Sequence, residues 1–561
     1  MNGCARHRID SRVRRRLLAP LLALIVASVA AACGGDSGET GRGERGDGAV
    51  QAEDVTAAEA AEPPSPGCGE PISLSAVEQV QGVRWVSTCW QELQPASVAL
   101  GDLNGDGVDD VVAEAPDYGE QAGLVALDGV DGAPLWHSEA DIRLVTVARL
   151  ADVNGDSTLD VLAGGRGLPD DDRPLAAIDG TDGSTIWRVD AMEPAWGNVY
   201  TPQNAGDVNA DGTDDWLVAT GGDHVRTASE VPSIAARLVV VDGSSGAVVG
   251  MVSLPEIQET YNSPVVFTDD DGASRVLVGS GGEIFSGSLW SIALSDVVAG
   301  TSTGFSEILS GGGESSFMAP VSIGDLDGDD RREAVAVRVD GLVTVFDPVT
   351  GTELWAENPT VRQLGEALDG SAVMSVSVPA IGNLDDDPQL EVVTQHALLS
   401  GDNLAAGQVT FSDSLVVVLD GATGETEGEL FIPDADSVQS PLIAITEAGD
   451  RGVICGCVES ESVLESESID RRHATRLGWW APGSAEPEDL GLPASLSNTP
   501  AFDHIRRSDG GHLLVSGGTY PSGSAPQGSI TSSEPMPLDS PVAEVLWGGY
   551  MGPDATGHYR P

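Results

Sequence analysis

Five stretches of this chain place oxygen-bearing side chains at the first, third, fifth and ninth positions of one loop. They are Asp102, Asn104, Asp106 and Asp110; Asp152, Asn154, Asp156 and Asp160; Asp207, Asn209, Asp211 and Asp215; Asp325, Asp327, Asp329 and Glu333; and Asn383, Asp385, Asp387 and Glu391. Carboxylate and amide oxygens at this spacing, with a backbone carbonyl at position seven and a turn-permissive residue at six, make the cage that a hard dication such as calcium takes. One such loop alone reads equally well as an acidic turn without metal; five in register favour the cation. Ser157, Asp330 and Pro388 stand where the loop glycine belongs in three copies, and Asn383 removes a carboxylate from position one of the last.

An EF-hand would carry a bidentate Glu at position 12, where this chain has Ala113, Ala163, Val218, Ala336 and Thr394. Instead, each loop runs into a β-branched apolar stretch of strand length, so the loops are expected to join two strands. A second repeat is interleaved with the first. Leu127-Asp128-Gly129 is followed by Gly132 and Trp136, Ile178-Asp179-Gly180 by Gly183 and Trp187, and Phe346-Asp347-Pro348 by Gly351 and Trp355. Asp242 with Gly246 and Asp420 with Gly424 keep the glycine but have Gly250 and Gly428 in place of the Trp. This is a hairpin pattern. Tryptophans at one phase of successive repeats are expected to be packing wedges between units rather than a box for a cofactor or sugar.

Together the two repeats make a unit of about four strands. Its first loop position falls at 102, 152, 207, 325 and 383, with a degraded copy at Asp269-Asp270-Asp271-Gly272 and two more near Ser440-Pro441-Leu442-Ile443 and Thr499-Pro500-Ala501-Phe502. The expected fold class is all-β: a β-propeller of eight four-stranded blades, or seven if the last trace is only a closing strand. The orphan strands Gly82-Val83-Arg84-Trp85-Val86 and Val545-Leu546-Trp547 are expected to close the ring by sharing one blade.

The stretch from Gly101 to Asp128 resembles the FG-GAP repeat of integrin α-chain propellers and bacterial VCBS-type proteins. The hairpin from Ala126-Leu127-Asp128 to Trp136 is similar to repeats of quinoprotein-like propellers, as is the ending Trp547-Gly548-Gly549-Tyr550-Met551-Gly552-Pro553. The resemblance covers residues 95 to about 550. It implies structural calcium on one rim and partner binding by other loops. Units four, seven and eight lack the ligands, so calcium is not expected there.

Residues 1–32 read as a signal peptide: Arg6, Arg8, Arg12, Arg14, Arg15 and Arg16 precede an apolar run from Leu17 to Ala32 that Pro20 interrupts and that is too short to span a membrane. Ala30-Ala31-Ala32-Cys33-Gly34-Gly35 resembles a lipoprotein cleavage site with Cys33 acylated; plain cleavage after Ala32 is the alternative. Residues 33–67 then form the lipid anchor and a disordered Gly/Ala/Glu/Pro/Ser tether, and the propeller occupies 68–561. Cys68, Cys89, Cys455 and Cys457 remain, an even number suited to an oxidising compartment. The preferred pairings are Cys68 with Cys89 and Cys455 with Cys457, among three connectivities.

The formal charge of −60 repels nucleic acid and anionic lipid, and the chain contains no lysine, which excludes a phosphate-loop lysine, a Schiff base and a lysine general base. Gly300-Thr301-Ser302-Thr303-Gly304 matches a nucleophile-elbow pattern, yet no helix pattern follows to support the turn. The reading is an extracytoplasmic, membrane-anchored, calcium-stabilised propeller that binds a protein or glycan, as a monomer and without catalysis. Alternatives are a propeller enzyme, either a quinoprotein oxidoreductase or a calcium-dependent polysaccharide lyase, and an envelope-assembly scaffold. The ligand face is expected opposite the calcium rim, with Trp196, Asn198 and Tyr200 presenting aromatic and amide groups there; the equal alternative is that Trp196 and Tyr200 pack under their own loop.

Overall fold

The computed structural model describes residues 83–90 and 98–559 less a set of short connecting stretches, the longest being 166–174, 223–233, 400–410, 461–473 and 491–500. The expected signal peptide, Cys33, the tether and Cys68 lie outside the described residues, as does the side chain of Cys89.

The repeats become antiparallel meanders, each strand pairing with the next in sequence, as the tight acidic-loop and Asp hairpin turns of most connections dictate. Blade one is built from Ala99–Gly101, Asp110–Tyr118, Gln121–Leu127 and Pro134–His137. Blade two uses Arg149–Ala151, Asp160–Gly164, Leu175–Ile178 and Thr185–Val189; blade three uses Gln203–Gly206, Asp215–Thr220, Arg237–Val241 and Val248–Ser253. Blade four, the degraded unit, keeps its four strands from Val265–Thr268 to Ser306–Ser310. Its turn is a tight one in which Asp269 Oδ1 accepts the N–H groups of Asp271 and Ala273. Blade five runs from Ser322–Gly324 to Glu353–Glu357. Blade six runs to Thr426–Ile432 and has its first strand split in two, Val373–Met374 and Ala380–Gly382, both pairing with Glu391–Leu399.

The fold is an all-β propeller of four-stranded antiparallel blades, seven of them laid down in chain order. Blade seven comprises Leu442–Thr446, Arg451–Ser460, Ala474–Trp480 and Glu488–Asp489, with Val542–Trp547 added along Leu442–Thr446. One further sheet is assembled differently, from Ala501–Arg506, His512–Ser522, Ala525–Ser533 and the N-terminal strand Val83–Trp90. The two orphan strands therefore do not share a blade. Val542–Trp547 goes to blade seven because its end is strongly apolar: Leu546 and Trp547 are buried in the cluster that joins blades four to seven. In the second strand of blade seven, Cys455 and Cys457 form a disulfide, the pairing expected from sequence.

After Trp547 the chain crosses the middle of the ring. Tyr550 and Ala555 pack against both the cluster of blades one and two and the cluster of blades four to seven. The Tyr550 hydroxyl lies 3.0 Å from Ser263 Oγ, ahead of blade four, and Gln203 of blade three donates to the Ala555 carbonyl at 2.9 Å. Ile323, on the first strand of blade five, donates to Gly557 O at 2.7 Å and accepts from Tyr559 N at 2.8 Å. Met551 is fully buried. The C-terminal segment thus forms a plug held by the inner strands of several blades.

Candidate metal centre

In blade one, Asp102 Oδ1 accepts the N–H groups of Gly105 and Asp106, and Oδ2 that of Gly107. Asn104 accepts from Asp106, and Asp106 from Val108, so the side chains at positions one, three and five fold back on the loop they belong to. Asp152 and Asp207 repeat the pattern in blades two and three, and Asp325 in blade five. The loop needs a left-handed residue at position six: Gly107 has φ 87° and Gly212 φ 98°. Ser157 (φ 74°) and Asp330 (φ 68°) adopt that conformation despite their side chains, so the loop persists without its glycine. Pro388 cannot, since its ring fixes φ near −65°.

The ninth-position carboxylates do a second job. Asp110 is fully buried; its Oδ2 accepts Leu103 N at 2.9 Å, and its Oδ1 accepts Gly129 N, in the hairpin turn of the same blade, at 3.0 Å. Asp160 bridges Val153 to Gly180, and Asp215 bridges Val208 to Gly243. Glu333 accepts from Leu326, and Glu391 from Leu384. Each carboxylate therefore clamps the acidic loop to the blade, and in blades one to three also to the hairpin turn, placing the two turns on one rim.

Burial pushes the Asp110 carboxyl up to about 6, against the opposing pull of the Gly129 and Leu103 N–H groups. Asp160 and Asp215 are raised for the same reason. Burial raises Glu333 to about 7, with Asp327, Asp329 and Asp325 adding repulsion, and Glu391 to about 8, with Asp385, Glu427 and Asp387 adding to it.

Among the described residues, three groups of carboxylates bring one oxygen each within 4.8 Å of one another: Asp156, Asp160 and Asp179; Asp325, Asp327 and Glu333; and Asp385, Glu391 and Glu427. All three include expected ligands. Two members, Asp179 and Glu427, lie in the hairpin rather than the loop. Asp179 carries a signal in the sequence, because an Asp opens the hairpin turn that follows each loop, whereas Glu427 lies in the hairpin strand beyond that turn. In the structure Asn104, Asn154 and Asn209 donate to Asp128, Asp179 and Asp242 at 3.3, 3.3 and 2.7 Å. Blades one and three keep the loop hydrogen bonds without such a cluster. The donor set is all oxygen, which suits a hard cation over zinc or copper.

The tryptophans are wedges. Trp136, Trp187 and Trp355 each donate an indole N–H to a carbonyl in the next hairpin: Gly180 O at 2.7 Å, Gly243 O at 2.7 Å and Gly421 O at 2.8 Å. Of the two readings of Trp196 and Tyr200, the exposed ligand face is corrected and packing is what the structure has. Trp196 and Tyr200 are buried at 3% and 1% exposure, Trp196 among Trp187, Val199 and Trp216, and Tyr200 with its hydroxyl donating to Thr260 O. Asn198 is buried with them. Aromatic side chains ahead of an inner strand are drawn into the seam between blades, where they remove the most apolar surface from water.

Ser302 of the elbow-like pattern sits in a short 3-10 turn, not before a helix. Among the described residues one serine–histidine contact, Ser375 Oγ to His396 Nδ1 at 2.6 Å, is sealed in the core of blade six, with Thr394 on the other ring nitrogen. Burial holds His396 down to about 3, so it is a neutral structural group.

The FG-GAP repeat model matches residues 95–128, and the FAM234A/B beta-propeller model matches 121–308. No curated protein sequence matches the chain. Similar solved structures include the quinohemoprotein alcohol dehydrogenase from Comamonas testosteroni (12% identity, 82% of this chain and 77% of that one, TM-score 0.48). A europium-containing methanol dehydrogenase (11%, 82% and 94%, 0.48) and BamB from Moraxella catarrhalis (14%, 67% and 88%, 0.35) are also similar. At these identities and TM-scores the likeness carries no argument about activity. No helix among the described residues is long and apolar enough to cross a membrane. The chain is a β-propeller that is similar to FG-GAP-repeat propellers over its first blade and to the FAM234A/B beta-propeller over residues 121–308.

Proposed function

We propose that the protein is a calcium-stabilised binding propeller that presents rim and outer blade surfaces to a protein or glycan and catalyses no reaction. The observation that carries this reading is the C-terminal plug. The axis is the enclosed space that a ring of blades offers a small molecule, and here the segment carrying Tyr550, Met551, Ala555 and Gly557 runs through it, bonded to blades three and five and to Ser263 ahead of blade four. A partner is then left with the outer surfaces, which suit a macromolecule. The charge of −60 supports a partner that is not nucleic acid. Calcium is supported by the oxygen-only clusters and by the cost of leaving three carboxylates together without a cation.

We further propose that the mature protein is held outside the cytoplasm by a lipid on Cys33, supported by the sequence around that residue. Cys33→Ser should move it to the soluble fraction with its melting unchanged; retention in the membrane would contradict this. The binding reading is tested by glycan-array and pull-down screening of the mature protein alongside its visible spectrum. Saturable capture of one ligand class with no quinone absorbance is expected. A quinone band, or release of unsaturated sugars from a polysaccharide, would overturn it in favour of an enzyme.

A further inference from the structure

The seventh residue after the hairpin Asp is Leu135, Ile186, Val249 and Leu354 in blades one, two, three and five, but Glu427 in blade six. Blade six is also the blade whose loop begins with Asn383 instead of Asp. The Asn383 amide donates to Asp387 O at 2.6 Å and Gln389 O at 3.3 Å. The second of these is the position-seven carbonyl that such a cage uses as its backbone ligand. Asn383 therefore neither supplies an anion nor leaves that carbonyl free.

Opposite, Glu427 meets Asp385 and Glu391 within 4.8 Å. Glu391 is fully buried; one of its oxygens accepts the Leu384 N–H, while Oε1 is buried with no hydrogen-bond partner. An ionised buried oxygen without a donor is costly unless a cation meets it. The charged groups acting on Glu427 are Asp385, Asp420 and Asp387, all of its own sign.

We infer that blade six holds a divalent cation through a relocated ligand set, Asp385, Glu391 and Glu427, in which Glu427 replaces the missing position-one Asp. The inference rests on the cation-binding reading above and assigns calcium from the oxygen-only donors. The hairpin strand, not the loop, supplies the anion that the loop has lost.

The test uses the full chain and calcium alone as the probe. Glu427→Gln and Glu427→Leu, the latter restoring the residue type of the other blades, are compared with the parent by calorimetric titration and by melting in calcium and in EDTA. Each variant should bind one ion fewer, melt lower than the parent in calcium, and melt at or above it in EDTA, where a like charge has been removed. A merely structural glutamate would lower both melts. If the parent binds calcium and both variants keep the full count, the relocated set is wrong while the cation reading stands. If the parent binds none, both fail.

Discussion

The indole of Trp136 donates to Gly180 O at 2.7 Å and lies over Gly183 of the next blade, whose φ is +76°. A Cβ on Gly183 would meet the ring at 2.8 Å. The same arrangement links Trp187 to Gly246 and Trp355 to Gly424, so successive hairpins are stitched edge to edge.

Gly183→Ala should destabilise the fold by more than the roughly 1–2 kcal/mol that a left-handed residue costs, because the indole must also move. Trp136→Ala should cost about 3–5 kcal/mol. Thermal melting with calcium present checks both. If Gly183→Ala melts like the parent, the ring is not seated on that glycine.

Chelated protein should lose stability as pH rises from about 6.5 to 8. Glu333 and Glu391 are raised to about 7 and about 8 from an ordinary 4.5, so the native state binds more protons than the unfolded chain in this window. The slope of stability with pH is then negative. His396, lowered from 6.5 to about 3, contributes stability above 6.5 that is lost as pH falls, so it opposes the carboxyls only on the acid side of the window. Saturating calcium should abolish the fall. Denaturant melts in EDTA across the window check this, and a rise with pH would contradict it.

Ending the chain after Trp547 should lower the melting temperature without reducing calcium bound. The deletion removes the buried Met551, worth about 2–5 kcal/mol on a large-to-small scale, and the paired backbone bonds between Ile323 and residues 557–559. Equal melting of the truncated and full chains would show that the plug is not held.

The blades, the loops, the hairpins and the wedge role of Trp136, Trp187 and Trp355 were legible in the sequence because each follows from a local period. The three hidden features are non-local. Trp196 and Tyr200 look like loop aromatics until the seam between blades closes over them. Val83–Trp90 and Val542–Trp547 look like halves of one blade, but edge pairing is chosen by the neighbours each strand meets, and these differ. Glu427 is invisible to a loop motif, since its partners Asp385 and Glu391 lie on another strand pair of the blade. The clamp by Asp110, Asp160 and Asp215 was read only as metal ligation; its bonds to Gly129, Gly180 and Gly243 give the same residues a structural reason to be acidic.

The central claim is that calcium binds the acidic rim and holds the native propeller together. Calorimetric titration of the chelated mature protein, paired with melting curves, tests it most directly. The account predicts heats for several ions, up to five, and a melting temperature that climbs with calcium concentration as expected for a ligand of the native state. No binding heat, with melting identical in calcium and EDTA, would reduce the five loops to turns and contradict the account.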